Sequence, residues 1–160
     1  MFKTEKADWA FIVPATLVWI VALAATALDF RKAWRRRALR FGPLNLLGLA
    51  FIAVGLGLRL AARRSLRGQF SYGLRLRDDH RLVTTGIYRR VRHPAYTGDM
   101  LFHFGVALLF SSLRGMVIMF ALIPCFLYRI SVEERMLIGR FGDSYRTYRQ
   151  RSWQLLPLLP

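Results

Sequence analysis

"GIYRRVRHPAYTGDMLFHFGVALLF" occupies Gly86–Phe110. Three arginines, a histidine, a proline and two tyrosines are followed by an apolar run that continues to Leu113. A run of this kind approaches the ~17–25 residues that a helix needs to cross a hydrocarbon core. A plain anchor would ask only for a basic flank and an aromatic at its mouth. The surplus of polar chemistry just before Pro94 therefore calls for a reason, and the remainder of the chain says in which solvent to look for it.

Of the 160 residues, 54% are hydrophobic, and they are concentrated rather than dispersed. Besides Pro94–Leu113, apolar stretches cover Trp9–Leu28, Leu44–Ala62 and Gly115–Ile130. The expected fold is all-α: a polytopic helical membrane protein with about four transmembrane helices, in a single membrane domain over 1–160. The first stretch ends in "ALAATALDF", which resembles a signal-peptide cleavage region, but its apolar run exceeds the ~7–15 residues of a signal core, so it reads as a mature span. Pro14, Gly48, Gly55, Gly57, Gly105 and Pro124 lie inside the stretches, where packing against neighbouring helices makes them tolerable. "GLGLRLAARR" (Gly55–Arg64) reads as such a packing surface.

The formal net charge is +16. In a soluble chain that excess would suggest nucleic acid; beside membrane spans it suggests anionic headgroups and the cytoplasmic face, so membrane lipids and not nucleic acid are the expected partners. Basic residues crowd Arg31–Arg40, Arg63–Arg92 and the tail from Arg129. The short "SSLRG" between the last two stretches makes them a tight hairpin. This arrangement puts Arg63–Arg92, the tail and the amino terminus on the cytoplasmic side and leaves Arg31–Arg40 opposite, against the charge rule, unless that cluster is interfacial or an early stretch does not fully cross. The lone Cys125 excludes an intrachain disulfide and has no partners for a structural metal site; it reads as core filler.

The chain divides around its polar middle into scaffold helices (1–62) and a half that carries the chemistry (63–160). Pro94 suits the first turn of a helix, which puts His93 at or beside the cap. A helix N-terminus offers N–H groups and partial positive charge to an anion such as a carboxylate, and the faces of Tyr88 and Tyr96 attract cations. A capping histidine in an aromatic belt would look the same in sequence. After the last stretch, Leu137, Phe141, Tyr145 and Tyr148 recur at helical spacing, and Gly142 followed by Asp143 reads as a helix stop and a new N-cap. The expected tail is a C-terminal pair of short amphipathic helices on the membrane surface. Arg129 and Glu133 stand one turn apart, the spacing of an ordinary ion pair. Asp99 and His103 are also one turn apart and can pair with one another, although ionisable residues inside a span are functional candidates by default.

Together, "HRLVTTGIYRRVRHPAYTGD" (His80–Asp99) and "VEERMLIGRFGDSYRTYRQR" (Val132–Arg151) resemble the isoprenylcysteine carboxyl methyltransferase and phospholipid methyltransferase superfamily of integral membrane enzymes. The resemblance implies S-adenosyl-L-methionine as methyl donor, whose carboxylate, ammonium and sulfonium suit the pattern of helix terminus and aromatic faces. Carried over by position, it implies cofactor contacts at His80, Arg81, Leu82, Val83, Tyr88, His93, Pro94, Ala95, Tyr96 and Glu133, and an acceptor-facing role for Arg129. Arg81 stands where the family pattern has threonine, a change of little consequence if the contact is through the backbone.

Methyl transfer is an in-line displacement at carbon, so the protein's main work is to align donor and acceptor and exclude water; neither a metal nor a covalent intermediate is required. A carboxylate acceptor is already ionised at neutral pH and needs a cation to aim it, which Arg129 supplies. An amine acceptor must lose a proton, and Glu134 or Asp99 would then be the general base. The expected function is methylation of a lipophilic small molecule, chiefly a carboxylate as in isoprenylcysteine carboxyl methylation, with the active site facing the cytoplasm. The alternatives are N-methylation of a phospholipid or other amine, a sterol-reductase-like membrane oxidoreductase, and a non-catalytic binder of anionic lipid.

Overall fold

The computed structural model describes residues 2–3, 5–36, 41–67, 73–76 and 81–155. Among the described residues the fold is helical apart from one two-residue strand pair. α1 (Glu5–Arg35) and α2 (Pro43–Leu66) are long single helices; a 3₁₀ turn (Gly86–Arg89) leads into α3 (Pro94–Leu109), α4 (Leu113–Met119), α5 (Leu122–Phe141) and α6 (Asp143–Gln150). β1 (Phe2–Lys3) pairs antiparallel with β2 (Arg75–Leu76), Phe2 opposite Leu76 and Lys3 opposite Arg75.

Three segments among the described residues are long and apolar enough to cross a membrane: Asp8–Arg35, Pro43–Leu66 and Leu113–Phe141. α3, at 16 residues, rises only about 24 Å at ~1.5 Å per residue, short of the ~30 Å hydrocarbon thickness. The fourth apolar stretch is broken where a continuous helix was expected. Pro124 has no N–H, and its ring clashes with the carbonyl four residues earlier. That carbonyl belongs to Phe120, and the chain tightens there into three-residue turns, with Phe120 N–H donating to Val117 O, Ala121 to Ile118 O and Ile123 to Phe120 O.

α2 and α3 pack antiparallel through glycine. A Cβ on Gly55 would lie 2.5 Å from the Gly98 carbonyl oxygen, and one on Gly48 would lie 2.8 Å from that of Gly105. Backbone touches backbone at both levels, one heptad apart on each helix, as small residues permit in membrane packing. The expected packing surface is thus real, although Gly57, beside Gly55, meets nothing within 4 Å. Asn45 ties the far end of this pair, donating to Leu109 O at 2.7 Å and to Ser111 Oγ at 2.9 Å.

Ala22, Met119, Leu122 and Phe126 form the buried core, with Phe11, Val18, Tyr96 and Phe104 packed on it. α1 and α2 turn Leu17, Ile20, Val21, Leu46, Val54 and Leu60 outward. On a soluble monomer so much exposed apolar surface would be anomalous; here it is a lipid-facing girdle. Cys125 is only half-buried, so it fills little of the core.

The tail departs from expectation in one respect. α5 runs unbroken from the apolar stretch through Glu133 to Phe141, so the first of the two expected tail helices is the extension of a span. Gly142 then breaks the chain at φ +53°, with its N–H on Ile138 O at 2.8 Å. Gly142 itself, not Asp143, is the N-cap of α6.

Candidate functional site

The N-terminus of α3 is assembled from both chain ends of the second half. After α6 the chain turns back, and Arg92 N–H donates to Trp153 O at 2.8 Å, His93 N–H to Gln154 O at 3.1 Å and Trp153 N–H to Arg90 O at 2.8 Å. Thr97 Oγ1 adds a bond to Leu155 O at 2.7 Å. His93 is the N-cap and Pro94 the first helical residue, as the sequence suggests. The His93 side chain makes no cap hydrogen bond. It lies buried at 4% exposure, its ring stacked on Tyr96 at 5.7 Å between centroids, with Nε2 3.3 Å from Glu134 Oε1.

Glu134 is the anchor of this assembly. Its Oε1 accepts from Arg92 Nε at 2.8 Å, and its Oε2 lies 3.4 Å from Arg149 Nε. Arg92 donates in turn to Arg149 O at 3.0 Å and to Ser152 O. One carboxylate on α5 therefore fixes the cap of α3, α6 and the returning tail.

Glu133, the preceding residue, faces a different space. A cavity of about 480 Å³ is lined by Arg81, Leu82, Val83, Tyr88, His93, Ala95, Tyr96, Arg129 and Glu133. The sequence-predicted residues thus converge on one space, with three exceptions. Pro94 is buried behind its helix start and Glu134 sits in its ion-pair cluster, neither of them lining the cavity, and His80 lies outside the described residues. Inside the cavity a chain of charge-assisted hydrogen bonds runs from Arg129 Nε to Tyr96 Oη at 2.9 Å, and from the Tyr96 hydroxyl to Glu133 Oε2 at 2.7 Å. Tyr96 is the bridge between the two residues that sequence spacing put one turn apart.

Several lining residues carry no local sequence signal. Phe11 and Ile12 of α1 and Arg59 and Leu66 of α2 form walls, and Gly73 and Leu74 close another side. The Phe11 ring lies 4.7 Å from the Arg129 guanidinium carbon, within cation–π range. Asp8 Oδ1 accepts from Arg129 Nη1 at 3.0 Å. Asp99 and His103 also line the cavity, but their side chains do not pair with one another: Asp99 takes Arg59 of α2, and His103 Nδ1 meets the Asp99 backbone carbonyl. On the far wall burial pushes the Tyr148 hydroxyl up to about 12, and the hydroxyls of Tyr88 and Tyr145 are raised as well, again by burial first. The Tyr148 hydroxyl donates to Tyr88 O at 2.6 Å, fastening α6 to the 3₁₀ turn. Among the described residues there is no group of three or more His, Cys, Asp or Glu side chains that could hold a metal ion.

The model of the phospholipid methyltransferase family matches residues 44–144. The chain belongs to the phospholipid methyltransferase family. Within it, the chain is similar to the protein-S-isoprenylcysteine O-methyltransferase of Schizosaccharomyces pombe, 36% identical over 116 residues that cover 70% of this chain and 49% of that protein. It is also similar to the mouse (Mus musculus) protein of the same name, 32% identical over 155 residues, 94% of this chain and 55% of the relative. A solved structure of the eukaryotic intramembrane Ras methyltransferase, isoprenylcysteine carboxyl methyltransferase, superimposes with a TM-score of 0.79 at 26% identity, over 88% of this chain and 52% of that one. The chain spans about half the length of these relatives. A family member with three apolar segments of spanning length and an intramembrane structural neighbour is an integral membrane protein.

Proposed function

We propose that this chain is an S-adenosyl-L-methionine-dependent methyltransferase acting on the carboxylate of a lipophilic small molecule, of the isoprenylcysteine kind named in its relatives. The observation that carries the proposal is the convergence of His93, Tyr96, Glu133 and Arg129 on one cavity. Residues 63–160 are the cofactor-binding, catalytic half, and α1 and α2 are the scaffold that walls it. α3, although shorter than the hydrocarbon thickness, makes a fourth crossing where the bilayer thins around it, with α4–α5 as its return, and the cavity opens toward the cytoplasm.

The residues fit such a donor. Glu133 offers a carboxylate to its ammonium, and the faces of Tyr88 and Tyr96 suit its sulfonium. Arg81, Leu82 and Val83 flank the same cavity, and Ala95 sits in the first turn of α3, where the helix terminus favours the donor carboxylate. His80 and Pro94 complete the proposed set, Pro94 by setting the start of α3. Once bound, the donor supplies an electrophilic methyl group, which an acceptor oxygen takes while the S–C bond electrons return to sulfur. Arg129 holds the acceptor carboxylate and, through Tyr96, is fixed relative to Glu133, so that the acceptor and donor ends of the cavity share one rigid link. Preorganisation of that kind is where most of the rate enhancement of a displacement without acid–base steps arises.

Glu134 receives a positioning role in this reading, because Arg92, His93 and Arg149 surround both its oxygens. Glu134 also does not line the cavity and is not placed to take a proton from an amine, which favours carboxylate acceptors over amines.

Titration calorimetry of the detergent-purified protein with S-adenosylmethionine, S-adenosylhomocysteine and NADPH tests the reading. Saturable binding of the first two alone is expected, weakened at least tenfold in Glu133→Ala and in His93→Ala, on the ~1.5–3 kcal/mol scale of hydrogen bonds to charged groups. Binding of NADPH alone would point to an oxidoreductase, and unchanged donor affinity in both variants would remove the site.

A further inference from the structure

We infer that Asp8 is a specificity-determining residue of this site: its carboxylate holds Arg129 until the carboxylate of an acceptor takes its place. The inference rests on the reading of Arg129 as the cation that receives the acceptor.

Arg129 is 4% exposed, and a buried cation without a counter-ion is strongly destabilising. A counter-ion comes from a helix remote in sequence. Asp8, in the opening turns of α1, accepts from Arg129 Nη1 at 3.0 Å. The same carboxylate accepts the Leu74 backbone N–H, with Oδ1 at 3.1 Å and Oδ2 at 3.2 Å. Around it, β1 pairs with β2, so the stretch containing the cavity-lining Gly73 and Leu74 is joined to the start of α1 both by backbone pairing and by Asp8. Asp8 thus stands behind two residues that line the cavity, Arg129 and Leu74, and is not a loose surface side chain.

The fork of the guanidinium is shared out. Its Nε serves Tyr96, which relays to Glu133, and Nη1 serves Asp8. An incoming carboxylate that seeks the same cation meets Asp8 at close range, and two like charges on one guanidinium edge repel. A carboxylate acceptor therefore displaces Asp8 from Arg129 while Asp8 retains the Leu74 N–H. Acceptors without a carboxylate leave the Asp8–Arg129 pair in place and are not drawn to it. Asp8 keeps the cation paired in the acceptor-free enzyme and sets the affinity threshold an acceptor must exceed.

The test is Asp8→Asn, which keeps an oxygen for Leu74 and removes the charge. The probes are N-acetyl-S-farnesylcysteine and its carboxamide, titrated into protein saturated with S-adenosylhomocysteine. Asp8→Asn is expected to bind the carboxylate probe at least about fivefold more tightly than the parent, the scale of one close charge interaction, with carboxamide and S-adenosylhomocysteine affinities within about twofold. In an Arg129→Gln background the gain should vanish, as coupling through a shared partner requires. Unchanged or weaker binding of the carboxylate probe, with S-adenosylhomocysteine binding intact, would overturn the inference alone. Absence of S-adenosylhomocysteine binding in the parent would instead overturn the proposed donor site, and absence of probe binding in both proteins would overturn the acceptor assignment together with the inference. Asp8→Ser serves as a second neutral variant; loss of S-adenosylhomocysteine binding in both variants would make Asp8 a folding element and overturn the role given to it.

Discussion

Replacing Arg92 by methionine separates a buried structural cluster from ordinary surface charge. The Arg92 side chain is 2% exposed and that of Glu134 6%, and Arg92 Nε donates to Glu134 at 2.8 Å. The substitution conserves most of the aliphatic volume but leaves the carboxylate with His93 and the more distant Arg149, and strips the returning tail of the bonds to Arg149 O and Ser152 O. Breaking a buried pair by removing one partner costs about 3–5 kcal/mol; since Arg149 and the His93 ring still face the carboxylate, the lower end applies. At ~2–4 °C per kcal/mol for a chain of this size, the melting temperature in detergent should fall by roughly 6–12 °C. Arg146→Met is the control. The side chains of Arg146 and Asp143 are 61% and 92% exposed, and an exposed pair contributes ~0–1 kcal/mol, so its loss should shift melting by no more than about 4 °C. Replacing Glu134 by leucine in the Arg92→Met background should recover much of the loss, because the uncompensated charge disappears with its partner. Differential scanning fluorimetry measures all three. A fall in Arg92→Met no larger than that in Arg146→Met, or a double variant less stable than Arg92→Met, would refute the view that Glu134 is a buried anchor.

Tyr96→Phe keeps the stack on His93 and removes only the hydroxyl between Arg129 and Glu133; kcat/KM for methyl transfer should drop about 10- to 100-fold, on the scale of ~1.5–3 kcal/mol for a hydrogen bond to a charged group, and unaltered steady-state kinetics would show that the bridge does not organise the site. A tyrosine whose folded pKa is raised holds a proton that the unfolded chain has already lost, so stability is level below about pH 10 and falls as pH rises above it. With Tyr148 pushed up to about 12, phenolate absorbance near 295 nm should develop late, and Tyr148→Phe should flatten part of the alkaline loss of stability. A loss that begins below about pH 9 would belong to other groups.

What sequence disclosed of the fold followed from how local its cause was. The onset of α3 at Pro94 and the break at Gly142 each rest on one residue's backbone chemistry, and both stand where the residues suggest. The break at Phe120–Ala121 was equally local, resting on Pro124, but an apolar run masks it because hydropathy has no term for a missing N–H. The continuation of α5 to Phe141 escaped for a related reason. A change from apolar to charged composition marks where a helix leaves lipid, and it does not mark where the helix ends. The close approach of α2 and α3 was half visible: glycines suggested a packing face, but which of Gly55 and Gly57 touches a partner depends on α3, beyond the reach of either residue's own neighbourhood.

The site divides in the same way, and the division has chemical content. Residues of "RHPAY" and "EE" were legible as one group through the family resemblance that joins the two motifs; a helix start and a helix exit taken singly do not bring them to one cavity. Phe11 and Arg59, which line the cavity, and Asp8, which holds Arg129, were not, since nothing in α1 or α2 announces contact with a site built from the other half of the chain. Yet these long-range residues change what the cation can do. Taken in sequence, Arg129 is a charge one turn from Glu133; in the fold, its Nε is tied to Tyr96, one face lies against Phe11, and Nη1 is held by Asp8. A cation constrained on several sides recognises a carboxylate by exchange rather than by simple attraction. On the proposed reading its selectivity then depends on the scaffold helix that supplies the resident anion, which would give the first helix a part in choosing the acceptor even though it carries no recognisable motif.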